Sequence, residues 1–289
     1  MSAYLIHLSI LIGIYVILST SLNLAMGFTG LLNLGHIAFF GVGAYTSAIL
    51  TMAGVPFSVA FFLAGAFAVL FGVLLVLATR NLKGDYLGLA TLGFGFVVYS
   101  VFLNWTGLTR GPLGIPGIPK PSLLTWAIQS NTEYLFFVLL VMALTLLLLW
   151  MLTSSPYGRV LEAVRDDEIA ARVLGKNVSK LKCQAMGISA FFAGIAGSLF
   201  AHYITYIDPS SFFLSDIVLL LTIVMIGGLA SLRGSVIATV IILLIPEALR
   251  FVHLPSSIIG PMRQMIYALL LIVILLYRPR GFSGHVDLA

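Results

Sequence analysis

Long apolar runs separated by short polar breaks organise this chain. The runs cover residues 3–26, 30–50, 57–79, 85–103, 134–152, 183–206, 214–231, 234–251 and 261–277. A helix needs about 20 apolar residues to cross a bilayer, and most of these runs have about that length. The pattern predicts an all-α polytopic membrane protein of about nine transmembrane or partly re-entrant helices, within a range of eight to ten.

The stretch 152–182 is the main polar interruption, and it holds ten of the chain's 25 charged residues, all between Arg159 and Lys182. A charge at the bilayer centre costs roughly 2.5–3.5 kcal/mol on insertion scales, so this stretch lies outside the membrane. Helical spacing of its apolar positions predicts one long amphipathic cytoplasmic helix from Arg159 to Gly175, with Gly175 as its C-cap. The apolar positions are Val160, Leu161, Val164, Ile169, Val173 and Leu174, and the opposite face carries Glu162, Arg165, Asp166, Asp167, Glu168 and Arg172. Mixed charge on that face favours a protein partner over anionic lipid.

Lys and Arg residues at the segment ends predict the orientation. Arg80 with Lys83, the 159–182 block, Arg233, and the Arg278/Arg280 pair are all cytoplasmic if nine spans begin outside and end inside. Arg250 and Arg263 then lie outside. No basic residue precedes the first apolar run, so we interpret that run as a retained span rather than a cleaved signal peptide.

Composition agrees with one integral membrane domain over residues 1–289. The chain is 60% hydrophobic and 9% charged, with a mean hydropathy of +1.12, which excludes a soluble globular protein. The net charge of +5 lies at segment ends, which is not the pattern of a nucleic-acid surface. The single cysteine, Cys183, excludes an intrachain disulfide.

The segment 104–133 is predicted to be a periplasmic loop. Its four prolines and four glycines prevent a regular helix. It is either a stiff linker or a docking surface or cover for a pore.

Spans one to four run in the opposite direction to spans six to nine. The second span of each set, 30–50 in the first and 214–231 in the second, lies in a region that glycines interrupt. Paired broken segments of this kind occur in inverted repeats of transporters, so an inverted repeat is possible here.

Motifs of catalysis are missing from the sequence. There is no GxxxxGK[ST] nucleotide loop, no HExxH and no nucleophile elbow, and the five histidines are scattered. We therefore expect no enzymatic activity, no metal site and no cofactor in this chain.

Six polar residues lie within or at the ends of the apolar runs: Asn33, His36, Asp85, Asn104, Asp216 and Glu247. Such residues are functional candidates by default. Capping explains Asp85 equally well because that residue lies at a helix start. Capping or interfacial hydration explains Asp216 better than a substrate contact does, and Glu247 can pair with Arg250. His36, beside two glycines, is either a substrate contact or a hydrogen-bonded structural histidine.

Four motifs in order resemble the permease family of branched-chain amino acid ABC transporters. They are GLLNLGHIAFFGVGAYTSAIL at 30–50, GDYLGLATLGFG at 84–95, NWTGLTRGPLGI at 104–115 and PYGRVLEAVRDDEIAARVLGKNV at 156–178. The resemblance implies a permease in a bacterial plasma membrane that pairs with a second homologous permease and two cytoplasmic ATPases, which bind ATP and Mg²⁺. A periplasmic amino-acid-binding protein would deliver the substrate.

The resemblance also implies that the 159–178 segment is the coupling helix that docks on an ATPase. The residues that would carry this contact are Arg159, Glu162, Arg165, Asp166, Asp167, Glu168, Ala170, Ala171, Arg172 and Gly175. Ile169-Ala170-Ala171 stands where the general importer motif has Glu-Ala-Ala.

Small and polar residues near the second and fourth runs are the candidates for the translocation route, because small residues let the backbone approach a substrate. These candidates are Asn33, Gly35, His36, Gly41, Asp85, Tyr86 and Thr91. The substrate is a branched-chain or other neutral amino acid; urea or a short amide is the alternative within this architecture. An ion-coupled secondary transporter and a membrane-embedded enzyme are the alternatives from other classes.

The topology is testable with reporter fusions. A reporter fused after Lys176 is expected to read cytoplasmic, and one inserted near Pro116 is expected to read periplasmic, because the Lys/Arg bias of short loops sets orientation. A cytoplasmic signal at Pro116 would contradict the nine-span arrangement.

Overall fold

Apolar helices make up most of the structure. The computed structural model describes residues 2–82, 84–123, 126–128, 130–250, 256–277 and 281–282. Within these ranges six helical stretches are long and apolar enough to cross a membrane, and three shorter apolar helices accompany them. The predicted all-α polytopic fold is therefore confirmed, with nine apolar helices in the described part of the chain.

The helices fall close to the predicted runs. In chain order they are α1 (Ser2–Asn23), α2 (His36–Met52), α3 (Phe57–Thr79), α4 (Gly84–Asn104), α5 (Thr106–Thr109), α6 (Asn131–Ser154), α7 (Pro156–Asp166), α8 (Glu168–Val173), α9 (Val178–Ile204), α10 (Leu214–Gly227), α11 (Leu232–Arg250) and α12 (Ser256–Tyr277). A π-helical turn, Leu24–Phe28, continues α1. All of these except α5, α7 and α8 belong to the apolar set.

The centre of the bundle is the close packing of α9 against α2 and α3. A methyl group added at Gly43 would lie 2.2 Å from the Gly194 carbonyl oxygen, and one added at Gly197 would lie 2.0 Å from that of Phe40. Only glycine fits at these two crossings. Small residues are what allow membrane helices to pack this closely, since lipid provides no hydrophobic drive for association.

The proline-rich segment 104–133 folds over one end of this centre. Four two-residue strands form two antiparallel pairs: β1 (Ile115–Pro116) with β4 (Tyr206–Ile207), and β2 (Ser122–Leu123) with β3 (Trp126–Ala127). The Ile118 amide donates to the Thr205 carbonyl at 3.1 Å, and His202 Nδ1 lies 2.7 Å from the Pro119 carbonyl oxygen. These contacts tie the segment to the end of α9, so it is an ordered cover over that end.

Two predicted spans are broken within or beside their glycine-rich parts. The run 30–50 is not helical before His36, and the backbone between α10 and α11 turns at Gly228 and Ala230, which have φ values of 98° and 60°. Both breaks lie beside the end of α1. The inverted repeat itself stays a prediction.

The Asn23 side chain, at the end of α1, holds the second break together. Its amide nitrogen lies within donating distance of the Gly228 and Ser231 carbonyl oxygens, both at 3.1 Å, and of Ser235 Oγ at 2.6 Å. Its amide oxygen accepts from the Ala230 N–H at 3.0 Å. One fully buried side chain therefore satisfies the backbone of a turn that interrupts two helices.

We expect Asn23→Ala to destabilise the fold strongly, because each buried polar group left without a partner costs about 1–3 kcal/mol. The midpoint of thermal unfolding in detergent measures the effect. Asn104→Ala is the matched control, since Asn104 is exposed and donates only to its own helix, at Ser100. Equal midpoints for the two variants would contradict the assignment.

Candidate functional site

The polar stretch 152–182 forms a ridge of two short helices, α7 and α8. Ser155 caps α7 by accepting from the Tyr157 N–H at 3.2 Å, and Gly158 leaves room for the Thr153 carbonyl, which a methyl group would meet at 2.0 Å. Leu161 and Val164 are buried, so the apolar face of α7 packs inward as the spacing predicts.

The prediction of one continuous helix from Arg159 to Gly175 is wrong, because the chain breaks at Asp167. That residue is extended, with φ −153° and ψ 104°, and its carboxylate accepts from the Ile169 and Ala170 N–H groups at 2.8 and 3.0 Å. Asp167 is thus the N-cap of a second helix. Aspartate favours this position because it satisfies orphan N–H groups. Gly175, with φ 77°, ends α8 as predicted.

Because of this break, the face of α8 that was predicted to carry exposed charges points partly inward. The Glu168 carboxylate is only 19% exposed and pairs with Arg172 and Lys182. Ile169, Val173 and Leu174 are instead 66%, 82% and 77% exposed. The predicted location of Glu168 on an outward charged face is therefore wrong. We call the exposed residues Ile169, Val173 and Leu174 the apolar knob.

Arg165 connects the ridge to the end of α1. Its guanidinium donates to the Gly27 carbonyl at 2.9 Å and pairs with Asp166 at 2.8 Å. Gly27 lies in the π-helical turn, and a methyl group added to the nearby Gly30 would lie 3.0 Å from the Arg165 side chain. Arg165 therefore joins α7 to the π-helical turn and to the first broken segment.

The remaining predicted coupling residues lie around this core of the ridge. Arg159 and Ala170 are exposed, Glu162 is half-buried, and Ala171 is buried against Val164 and Val178. Burial raises the pKa of the Tyr157 hydroxyl, at the start of α7. That hydroxyl stays protonated and donates to Gln184 Oε1 at 3.4 Å.

Asn33 and His36, the predicted substrate contacts, are completely buried and bonded to each other. Asn33 Nδ2 lies 3.3 Å from His36 Nδ1, and His36 Nε2 lies 3.0 Å from Ser21 Oγ. If the Asn33 amide donates, the histidine is neutral and its Nε2–H donates to the serine. In this conformation both side chains join α1 to the start of α2, so the structure gives them a structural role.

Gly35, Thr91 and Gly41 are also packing positions. A methyl group at Gly35 would lie 2.3 Å from the Thr91 carbonyl oxygen, and one at Gly41 would lie 2.7 Å from the Phe102 ring. Thr91 Oγ1 accepts from the Leu34 N–H at 3.0 Å. These residues hold the broken segment 29–35 against α4.

Asp85 and Tyr86 differ from the other route candidates because both are exposed, Tyr86 by 75%. They begin an uncovered face of α4 on which large apolar residues such as Leu89 and Val97 alternate with small or polar ones, namely Gly93, Ser100 and Asn104. The uncovered face of α6 differs, since its exposed large residues are all apolar: Phe136, Leu139, Leu140, Leu144, Leu147, Leu148, Trp150 and Met151. The α6 face suits lipid, and the α4 face suits a protein partner or water.

The sequence analysis missed a polar cavity of about 280 Å³ between α1, α10 and α12. Its polar lining comprises Tyr15, Ser215, Asp216, Arg263, Gln264 and Tyr267, and its apolar lining comprises Leu8, Leu11, Leu219, Leu243 and Gly260. The sequence favoured capping or interfacial hydration for Asp216 over a contact with substrate. The overlooked signal is that Asp216 and Arg263 carry opposite charges at the same predicted end of two different spans.

A groove of about 760 Å³ between α3, α6 and α9 has a different character. Apolar residues such as Val69, Val73 and Phe191 line it, and its polar groups include Tyr157 and Gln184 at one end. It offers no charged group for a zwitterion. Among the described residues, no group of three His, Cys, Asp or Glu side chains could hold a metal ion. The predicted Glu247–Arg250 pair lies outside the described side chains.

Comparisons with known proteins agree with this architecture. The family described as "Branched-chain amino acid transport system / permease component" matches residues 4–275. The High-affinity branched-chain amino acid transport system permease proteins LivM of Salmonella typhimurium and Escherichia coli are each 36% identical over 293 residues, covering 93% of this chain and 67% of the relative. The Probable branched-chain amino acid transport permease protein LivM of Methanocaldococcus jannaschii is 26% identical over 317 residues, covering 93% and 90%.

A solved structure, PsaBC from Streptococcus pneumoniae in complex with Fab, is similar with a TM-score of 0.48 and 16% identity, covering 96% of this chain and 92% of that chain. The family match spans nearly the whole sequence and includes both broken segments and the α7–α8 ridge. The chain therefore belongs to the family of permease components of branched-chain amino acid transport systems.

Proposed function

We propose that this protein is the membrane-spanning subunit of an ABC importer of branched-chain amino acids, and that separate ATPase subunits drive it by docking on the α7–α8 ridge. The apolar knob carries this proposal. Ile169 and Val173 on α8 and Leu174 at its C-cap are exposed, whereas the charged residue Glu168 of the same helix is already paired. Burying each of these side chains in a partner would contribute about 1.5–3 kcal/mol.

The ridge can transmit a partner's movement because its contacts form one connected body. Val164, Ala171 and Val178 join α7, α8 and the start of α9 in a small core. Arg165 extends that body to the Gly27 carbonyl in the π-helical turn. Turns of this kind occur frequently at functional sites. Movement of the ridge would therefore reach α1 and the two breaks beside it.

The uncovered α4 face is the best candidate for the contact with a second homologous permease and for the substrate route. Its exposed residues alternate between apolar ones and small or polar ones, with Tyr86 at one end and Asn104 at the other. A zwitterionic, apolar-tailed substrate suits such a mixed surface better than a uniformly oily one. The buried Asn33–His36 pair would support the route from behind rather than touch the substrate.

Orientation follows from the same ridge. If ATPases bind the apolar knob, the α7–α8 end faces the cytoplasm of a bacterial cell and the 104–133 cover faces the periplasm, where an amino-acid-binding protein would dock. The N-terminus is then periplasmic and the C-terminus cytoplasmic. This arrangement places the basic ridge on the cytoplasmic side, as the positive-inside rule requires.

The proposed docking of the ATPase on the apolar knob can be tested by introducing one negative charge there. Val173→Asp is expected to lower ATPase binding at least tenfold and to abolish leucine uptake, because a desolvated carboxylate would replace a buried apolar contact. Co-purification with the ATPase and uptake into proteoliposomes measure both effects.

Leu82→Asp is the matched control for the knob, since Leu82 is an exposed apolar residue that lies outside the α7–α8 ridge. This variant should bind the ATPase and transport normally. Normal transport by Val173→Asp, or equal loss in both variants, would overturn the docking assignment.

The route is testable by comparing Tyr86→Ala with His36→Ala. Tyr86→Ala should leave the yield of assembled complex unchanged and alter uptake per complex, because its side chain is 75% exposed. His36→Ala should lower the yield first, because it removes a partner from Ser21 and Asn33 in the core.

Phe136→Ala is the control for an exposed aromatic side chain, since Phe136 is 68% exposed on the lipid-facing side of α6. It should change neither the yield nor the uptake per complex. If Tyr86→Ala behaves like Phe136→Ala, the route does not pass along α4.

A further inference from the structure

The polar cavity between α1, α10 and α12 lies at the end of the bundle opposite the ridge. Leu8 and Leu11 line it near the start of α1, whereas Gly27, just beyond the end of that helix, contacts Arg165 of the ridge. The helix rises about 1.5 Å per residue, so the cavity and the ridge are separated by much of the membrane thickness. A solute arriving from the side opposite the ATPases would meet this cavity early.

Two opposite charges line the cavity without neutralising each other. Asp216 and Arg263 form no ion pair together, and neither makes one with any other residue that the structure describes. Asp216 lies in the first turn of α10, and its backbone N–H donates to the Phe213 carbonyl at 3.1 Å. Asp216 is half-buried and Arg263 is exposed, so neither charge is enclosed with a counter-ion from this chain. A solute with one cationic and one anionic group would supply a partner to both.

The rest of the lining matches the remaining parts of one small molecule. Leu8, Leu11, Leu219 and Leu243 form apolar walls. The Tyr15 and Tyr267 side chains and the polar groups of Ser215 and Gln264 add neutral hydrogen-bonding capacity. The volume of about 280 Å³ is at the lower edge of ordinary ligand sites, so it suits a single amino acid rather than a peptide.

We propose that this cavity binds a free aliphatic α-amino acid, with its ammonium group on Asp216, its carboxylate on Arg263 and its side chain against the leucines. The inference rests on the proposed function, because it assumes that the imported solute is such an amino acid. It adds a site within this single chain, apart from the α4 face, where the substrate is held after delivery. A lone cation would satisfy only Asp216, and a lipid phosphate would satisfy only Arg263.

The test uses the purified full-length chain in lipid nanodiscs and measures the midpoint of thermal unfolding. Leucine at tens of millimolar should raise the midpoint. 4-Methylvalerate lacks the ammonium group and isopentylamine lacks the carboxylate, so each should give less than a tenth of leucine's apparent affinity. This comparison needs no variant and therefore does not depend on the folding of a mutant.

Two variants then assign the charges. Asp216→Asn and Arg263→Gln should each weaken leucine's apparent affinity at least tenfold, and Asp216→Asn should make leucine and 4-methylvalerate equivalent. Arg80→Gln is the matched control, because Arg80 is exposed and outside the cavity, and it should respond like the wild type.

Three outcomes would overturn the inference: equal stabilisation by leucine and 4-methylvalerate, stabilisation by NaCl alone, or no response to leucine. If the assembled transporter with its ATPases and binding protein still imports leucine, the proposed function stands and only this site is wrong. If the chain binds leucine here and the assembled transporter does not import it, the proposed function fails instead.

Discussion

Backbone groups inside a bilayer must find hydrogen bonds within the protein, and this fold depends on how it meets that constraint at two breaks. An unbroken helix satisfies its own backbone, but residues 29–35 and 228–231 do not continue a helix. Side chains from other helices supply the missing partners. Thr91 accepts from the Leu34 N–H, and Asn23 serves the Gly228, Ala230 and Ser231 backbone. The two breaks therefore depend on the positions of α1 and α4, whose side chains supply these hydrogen bonds.

This arrangement places the irregular backbone next to the α7–α8 ridge, the proposed docking surface for the ATPase. The π-helical turn, the first break and the Arg165 side chain meet at the end of α1. The ridge, the turn and the breaks form one physical path from the apolar knob to the interior of the bundle.

Polar residues in the spans have two different roles that burial separates. Asn23, Asn33 and His36 are fully buried and make all their described contacts within the chain, so they build the fold. Asp216 and Arg263 line a cavity without pairing, and Tyr86 faces outward. Sequence position alone groups all of these as polar residues in apolar runs. Their accessibility divides them into structural residues and candidates for solute contact.

The sequence by itself determined the number and place of the apolar helices, the family, and the existence of a polar ridge, because hydropathy over 20 residues is a local property. It also marked the glycine-rich breaks. It could not determine that Asp167 splits the ridge, since a helical repeat of apolar positions continues across that residue. Only the tertiary structure decided that Glu168 turns toward Lys182 while Ile169 and Val173 face outward. The same holds for His36 and for the Asp216–Arg263 cavity: contacts between distant helices set burial and charge pairing, and neither is encoded in local spacing.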